Sequence, residues 1–361
     1  MNNSDSFRKG TSLSSTELVD RIHASIAMGV IGDALGAPTE QRSIREIQEL
    51  FGGRVESFFE PPADSPYAKG RRAAEITDDS SQMMLLCELL IKYNGVVTAR
   101  AVADMVLLWS EDDRYFPHFA GPSTRAAIES LKAGADPEIS GSLGRETTQG
   151  TSNGGAMRVA PVGMVHPGDP EAAVMAAATT CRPSHFTSVG VAGAGAIAGG
   201  VAVALQKGAT ILDVVRGAIW SAELGEQIGS RDGREVAGPS VARRIEVAVE
   251  IASVSPDLDT AIRRIAAIVG TGLSAAEAVP AAIGFVVAGG GDPWQTVVAA
   301  ANAGDDTDTV ACMAGSIAGA LSGFSSVPRE RYDEVVSANE IDIASLASRL
   351  AGVAVPHGAP S

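Results

Sequence analysis

Apolar residues recur along most of this chain at three- and four-residue spacing, the period of a helix with one buried face. Met83, Leu86, Cys87 and Leu90 make the plainest stripe, over about 80–93. Ser14-x-x-Glu17 and Ser43-x-x-Glu46 have the form of capping boxes, in which hydroxyl and carboxylate satisfy the free amides of a first turn. They predict helices over about 15–30 and 43–51. Thr98 predicts the cap of a helix running to about Ser110. Further helical patterns lie near 122–133, 155–165, 169–180, 185–206, 210–224, 238–254, 258–270, 274–288, 292–303, 308–322 and 331–351, with Gly or Pro at most joints. Alternating stretches are short and isolated, Arg54 to Phe59 being the best, and no strand–helix alternation suggests a parallel sheet. The pattern predicts an all-α chain, a single compact multi-helical domain over 13–353. Residues 1–12 read as a disordered N-terminus and 354–361 as a frayed C-terminus. Glu223 to Pro239, the most polar interior stretch, reads as a surface loop.

Composition changes the picture of the core. Hydrophobic residues make up 45% and aromatics only 4%, with 40 glycines. The interior must therefore be built from Ala, Val, Ile, Leu and Gly. Phe186 to Leu205 runs for 20 residues without a charge and contains Gly195-x-x-x-Gly199, which nominally fits a membrane span. Its Ala and Gly content offers little gain on transfer to lipid, so it reads as a buried helix and no membrane is expected. Charge narrows the partners: 28 Lys and Arg against 43 Asp and Glu leave −15, which excludes nucleic acid as a broad electrostatic partner. Cys87, Cys181 and Cys312 are odd in number and far apart, and Met1 to Thr16 lacks the apolar run of a signal peptide. A reducing cytoplasm fits.

Two acidic motifs carry the candidate chemistry. Thr77-Asp78-Asp79-Ser80 precedes the Met83 stripe, and Asp305-Asp306-Thr307-Asp308-Thr309 precedes the apolar stretch Val310 to Leu321. Either alone has an ordinary reading as a helix cap that complements the dipole. Both together supply more carboxylates than caps require, and no Lys or Arg lies in the second motif or the helix after it. A bound cation is the economical counter-charge. Carboxylate and hydroxyl ligands without clustered His or Cys favour Mg²⁺ or Mn²⁺ over Zn²⁺. Five carboxylates suffice for two ions sharing ligands.

Three other segments admit both a structural and a functional reading. Gly32-Asp33-Ala34-Leu35-Gly36-Ala37-Pro38-Thr39-Glu40 closes the first helix in a defined turn that either leaves Glu40 exposed or holds it in place. Asn153-Gly154-Gly155-Ala156-Met157-Arg158 is a plain turn or a phosphate seat at a helix start. His185, the only histidine in the long small-residue region, is a packing residue or a catalyst.

Taken in order, these segments resemble the ADP-ribosylglycohydrolase family, which includes the dinitrogenase-reductase-activating glycohydrolases and the animal ADP-ribosylhydrolases. The matching residues are Gly32 to Gly36 with Glu40, Thr77 to Ser80, Asn153 to Arg158, Ser184-His185, and Gly304 to Thr309. The resemblance implies a single all-α domain with two Mg²⁺ or Mn²⁺ ions in a cleft. It implies metal ligands at Thr77, Asp78, Asp79, Asp306, Asp308 and Thr309. It implies substrate contacts at Asn153, Gly154, Gly155, Met157, Arg158 and His185, and a catalytic acidic position at Glu40. Ser80 and Ser184 stand where Thr is usual, and Asp305 where Gly is usual.

The implied activity is hydrolysis of the N- or O-glycosidic bond between ADP-ribose and a modified protein side chain, arginine by family prior, which reverses ADP-ribosylation. Such cleavage develops positive charge on the ribose, and proton transfer falls to Asp79 or Glu40. The substrate is an ADP-ribosylated protein or a small ADP-ribosyl or nucleoside compound. Competing readings are a hydrolase of a small nucleoside-type N-glycoside and a non-catalytic, crystallin-like relative that binds ADP-ribose. A terpenoid-synthase-like protein would want Asp-Asp-x-x-Asp, and position 82 is Gln82.

Overall fold

The reciprocal cap predicted at Ser14 is present: Glu17 accepts from the Ser14 amide at 2.8 Å, and the Ser14 hydroxyl accepts from the Glu17 amide. Ser43–Glu46 repeats it, and Thr210–Asp213 makes a third. In this computed structural model, which describes residues 12–354, eighteen α-helices follow one another and no β-strand forms among those residues. The first six are α1 (Ser15–Gly36), α2 (Ile44–Phe51), α3 (Asp78–Lys92), α4 (Ala99–Trp109), α5 (Phe116–Phe119) and α6 (Pro122–Lys132). The middle six are α7 (Gly154–Met157), α8 (Ala160–Val165), α9 (Pro170–Cys181), α10 (Ser188–Ala204), α11 (Ile211–Asp232) and α12 (Val241–Val254). The last six are α13 (Leu258–Ile268), α14 (Ala275–Ala288), α15 (Pro293–Ala301), α16 (Thr307–Ser322), α17 (Arg329–Asn339) and α18 (Ile343–Ala351). The expectations for 1–12 and 354–361 lie, save Ser12 and Ala354, outside the described residues.

Two close helix pairs make the centre, and glycine makes both. Along α1 and α16, a methyl group at Gly32 would meet the Ala311 carbonyl oxygen at 2.3 Å, and one at Gly319 the Ala24 carbonyl oxygen at 2.3 Å. The backbones therefore touch. Along α10 and α11, Gly225 and Gly229 bring α11 onto the carbonyls of Val191 and Thr187. Every residue of α10 is buried, with α8, α9, α14 and α16 completing its shell. No helix among the described residues is long and apolar enough to cross a membrane.

Departures from the sequence pattern have local causes. The stretch read as a loop from Glu223 stays helical to Asp232, because Gly225, Ile228 and Gly229 are buried on one face. The pattern over 155–165 breaks into α7 and α8, and Pro161 opens the second as a first-turn proline. The pattern over 331–351 breaks where Glu340 adopts a left-handed φ of 53°. Val55, within the strand-like stretch, pairs instead with one side chain. Asn302 Oδ1 accepts from its amide at 2.7 Å, and Asn302 Nδ2 donates to its carbonyl at 2.9 Å.

Candidate active site

The glycines that join α1 to α16 also set the chemistry. Gly36 rests on the backbone of Thr307 and Asp308, so the last turn of α1 meets the first turn of α16. Asp33 lies in that last turn and is fully buried. Its carboxylate accepts from the Thr77 amide at 3.0 Å, the Thr77 hydroxyl at 2.7 Å and the Ser80 amide at 3.0 Å. Thr77 makes no cap hydrogen bond of its own. Asp33 therefore caps α3 from another helix and ties the end of α1 to the start of α3.

The turn after α1 holds Glu40. The Thr39 hydroxyl donates to the Ala301 carbonyl at 2.7 Å. The Gln41 amide donates to the Asp305 carbonyl at 2.7 Å, and the Asp305 amide to the Arg42 carbonyl at 3.0 Å. Glu40 keeps 8% exposure between these anchors, and its Oε2 has no hydrogen-bond partner.

Oxygens of Asp33, Asp79 and Asp308 lie within 4.8 Å of one another, and so do oxygens of Glu40, Asp306 and Asp308. The two triads share Asp308. Burial is the main force raising the pKa values: Glu40, Asp79 and Asp308 are pushed well above the usual carboxylate range, with mutual repulsion adding to it. Asp306 is pushed up to about 6 by burial, against hydrogen bonds from Asn153, Asp308 and Thr309. Asp33 is raised by burial and partly relieved by Ser80 and Thr77. Among the described residues no Lys or Arg forms an ion pair with any of these acids. The N-termini of α3 and α16 point their positive ends here, but Glu40 Oε2 and Asp79 Oδ1 remain buried and unpartnered. Oxygen ligands with unpartnered lone pairs and no protein counter-charge fit a hard divalent cation.

Of the expected metal ligands, Asp79, Asp306 and Asp308 come together in the triads. Thr77 stands beside them, its hydroxyl 3.0 Å from Asp79 Oδ2. The Thr309 amide donates to Asp308 at 3.0 Å. Asp78 is partly exposed and belongs to neither triad. Asp305 also stands outside both: it is exposed, with a left-handed φ of 63°, and Gln41 Nε2 lies 3.4 Å from its carboxylate.

The Asn153 segment joins the centre through one bond, from Asn153 Nδ2 to Asp306 Oδ2 at 2.5 Å. The residues behind it form a buried polar chain. Gln82 Oε1 accepts from Arg158 at 2.9 Å, and Arg158 donates to the Ser184 hydroxyl at 2.7 Å. That hydroxyl lies 2.8 Å from His185 Nδ1, and His185 Nε2 lies 2.9 Å from the Ser152 hydroxyl. His185 packs directly under Gly154 and Gly155. Burial, and then Arg158, lowers its pKa to about 3, so the ring is neutral at pH 7. Met157 is buried in the same layer. His185 and Arg158 thus support the Ser152–Gly155 turn from beneath. Beside the turn lies a cavity of about 680 Å³, lined by Ser123, Gly150, Ser152, Ser184 and Leu273.

Sequence reasoning missed two residues. Asp33 carried a signal: an acid in the last turn of an apolar helix opposes the dipole and needs a reason to be there. Tyr67, half-buried on the loop before α3, has its phenol pKa raised by burial and by the nearby Glu40, Asp306 and Asp308. Its loop has no periodicity that would have pointed to it.

The sequence profile of the family described as ADP-ribosylglycohydrolase matches residues 14–359. An uncharacterised protein of Escherichia coli, YegU, is 28% identical over 339 residues, covering 92% of this chain and 96% of its own. An uncharacterised protein of Archaeoglobus fulgidus is 30% identical over 320 residues, covering 89% and 92%. Human ADP-ribosylhydrolase ARH3 is 25% identical over 352 residues, covering 90% and 92%. A solved structure titled ADP-ribosylglycohydrolase-related protein complex superposes with a TM-score of 0.69 at 22% identity, covering 94% of this chain and all of that one.

Proposed function

From the premise that this chain belongs to the ADP-ribosylglycohydrolase family, whose members are glycosidic-bond hydrolases acting on ADP-ribose linkages, we propose that it removes ADP-ribose from modified protein side chains, arginine first, with two Mg²⁺ or Mn²⁺ ions. The observation that carries this is the pair of overlapping carboxylate triads, buried, sharing Asp308 and lacking a protein counter-charge. Asp33, Asp79 and Asp308 would hold one ion, and Glu40, Asp306 and Asp308 the other. Thr77, Asp78 and Thr309 complete the surroundings. Bound there, such ions supply Lewis-acid polarisation and a lowered pKa for water.

The chain's own groups do the rest. Within the Asn153–Gly155 segment the Asn153 amide is spent on the Leu273 carbonyl at 2.8 Å, so the amides of Gly154 and Gly155 seat the pyrophosphate, with His185 and Arg158 behind. The cavity of about 680 Å³ beside Ser152 takes the nucleoside. Between the two proton-transfer candidates, Glu40 is favoured over Asp79, because both carry an unpartnered oxygen but only Glu40 keeps any exposure, 8% against none. Burial and the neighbouring acids raise its pKa, which favours a carboxyl able to take up a proton. Three buried free thiols support residence in a reducing compartment such as the cytoplasm.

The test is incubation with Mg²⁺ or Mn²⁺ and arginine-linked or serine-linked ADP-ribosyl peptides. Release of ADP-ribose from the arginine-linked peptide is expected, with Glu40→Gln at least about a hundredfold slower. Release from neither peptide would rule out the protein-substrate reading in favour of a small N-glycoside.

A further inference from the structure

Two cavities lie on either side of one short segment near the acidic centre, and the substrate reading above, on which this inference rests, fills only one. The segment 270–274 runs between them. Leu273 and Ser274 face the cavity beside Ser152, while Gly270 and Thr271 face a second, of about 750 Å³, between the start of α2 and the end of α13. The second cavity borders the centre through chain neighbours: its walls include Gln41, next to Glu40, and Asp305, next to Asp306. The wall is continuous, since the Asp306 amide donates to the Thr271 carbonyl at 3.2 Å and the Thr271 hydroxyl to the Gly304 carbonyl at 2.8 Å.

The charge of this groove opposes that of the protein. Arg42, Arg45 and Arg263 line it against one carboxylate, Asp305, in a chain whose formal charge is −15. Arg42 is tied to Asp64 at 2.6 Å, yet its Nε is buried without a partner. Arg45 is 83% exposed, with Glu49 no nearer than 3.9 Å. Arg263 is exposed and reaches the Thr260 hydroxyl at 3.4 Å. An anionic segment is repelled by most of this surface and attracted here.

We propose that this groove docks the acceptor protein, with acidic residues flanking the ADP-ribosylated side chain held by Arg45 and Arg263. The nucleotide then leaves the scissile bond on one side of the Gly272 ridge and the acceptor chain on the other. Exposed arginines act mainly on substrate capture, with a salt-sensitive effect.

The test uses the full chain with Mg²⁺ and two ADP-ribosyl peptides of the linkage it cleaves, one flanked by Asp and Glu, the other by Ser. A small ADP-ribosyl compound of the same linkage serves as control. The acidic peptide should show a KM about five- to tenfold lower at about 50 mM salt, converging at about 500 mM. The double variant R45A/R263A should erase that difference and leave kcat/KM on the small compound unchanged. Equal KM for both peptides, or equal loss on the small compound, overturns the proposal. Fluorescence anisotropy of the labelled acidic peptide on both proteins is independent of turnover. If nothing is hydrolysed, the function reading fails, and the groove then stands or falls on whether the wild type binds that peptide and the double variant does not.

Discussion

Gly36 is the point where packing and chemistry meet, and Gly36→Ala separates them. A methyl group there would stand 2.4 Å from both the amide nitrogen and Cα of Asp308, and 2.6 Å from the Thr307 carbonyl carbon. Ordinary contact begins near 3.4 Å, so α16 must retreat by about 1 Å at the residue both triads share. The obstacles are backbone atoms, and no side chain can swing aside. Overpacking of this kind costs about 1–3 kcal/mol, or a few degrees in Tm for a chain of this size. A misplacement of about 1 Å in a reacting constellation costs about a hundredfold in rate. Gly319→Ala is the matched control. It strikes the Ala24 carbonyl oxygen at 2.3 Å on the same helix pair, but about 16 Å along α16 from Asp308. Thermal unfolding and ADP-ribose release at saturating metal should show similar Tm losses for both variants, with a rate collapse only for Gly36→Ala. A folded Gly36→Ala enzyme within threefold of wild type, or an equal collapse in Gly319→Ala, would refute this account.

Three further outcomes follow from the same geometry. Mg²⁺ or Mn²⁺ should raise Tm saturably, by the equivalent of about 2.7 kcal/mol at a hundred times Kd, and Asp308→Asn should abolish the effect; undiminished stabilisation would place the ions elsewhere. In chelator, the folded state holds protons that the unfolded state has released between the usual aspartate value of 3.8 and about 6, where Asp306 titrates. Stability of the metal-free protein should therefore fall as pH rises through that window, read as a declining urea midpoint; a rising midpoint would contradict the shift. His185→Ala should loosen the Ser152–Gly155 turn and raise KM about tenfold with kcat little changed; a collapse of kcat alone would point to direct participation.

Most of the helical order was written in the sequence, because capping boxes and periodic stripes are local signals. Ser14, Ser43 and Thr98 each mark a helix start that the structure contains. What the pattern misjudged were residues whose meaning depends on a distant neighbour. Gly225 and Gly229 look like loop residues until α10 is laid against them. Asp33 looks like a helix ending until α3 arrives for it to cap. The acidic motifs were legible as runs of like charge, yet their grouping into triads around Asp308, with Asp78 outside, required three helix ends in space. Likewise, no sequence rule told that Arg158 and His185 would meet through Ser184.

The contact of α1 with α16 has a further consequence for how the protein is made. Asp33 and Asp308 are about 275 residues apart in the chain, and ribosomes add about 5–20 residues per second. Roughly 15–55 s therefore separate their synthesis, and for that interval the apolar length of α1 lacks its eventual partner. A nascent chain that stalls before residue 306 carries Asp33, Glu40 and Asp79 but neither complete triad. Neither triad can therefore assemble until translation has passed the start of α16, and an arrested fragment leaves the apolar length of α1 without the helix that covers it.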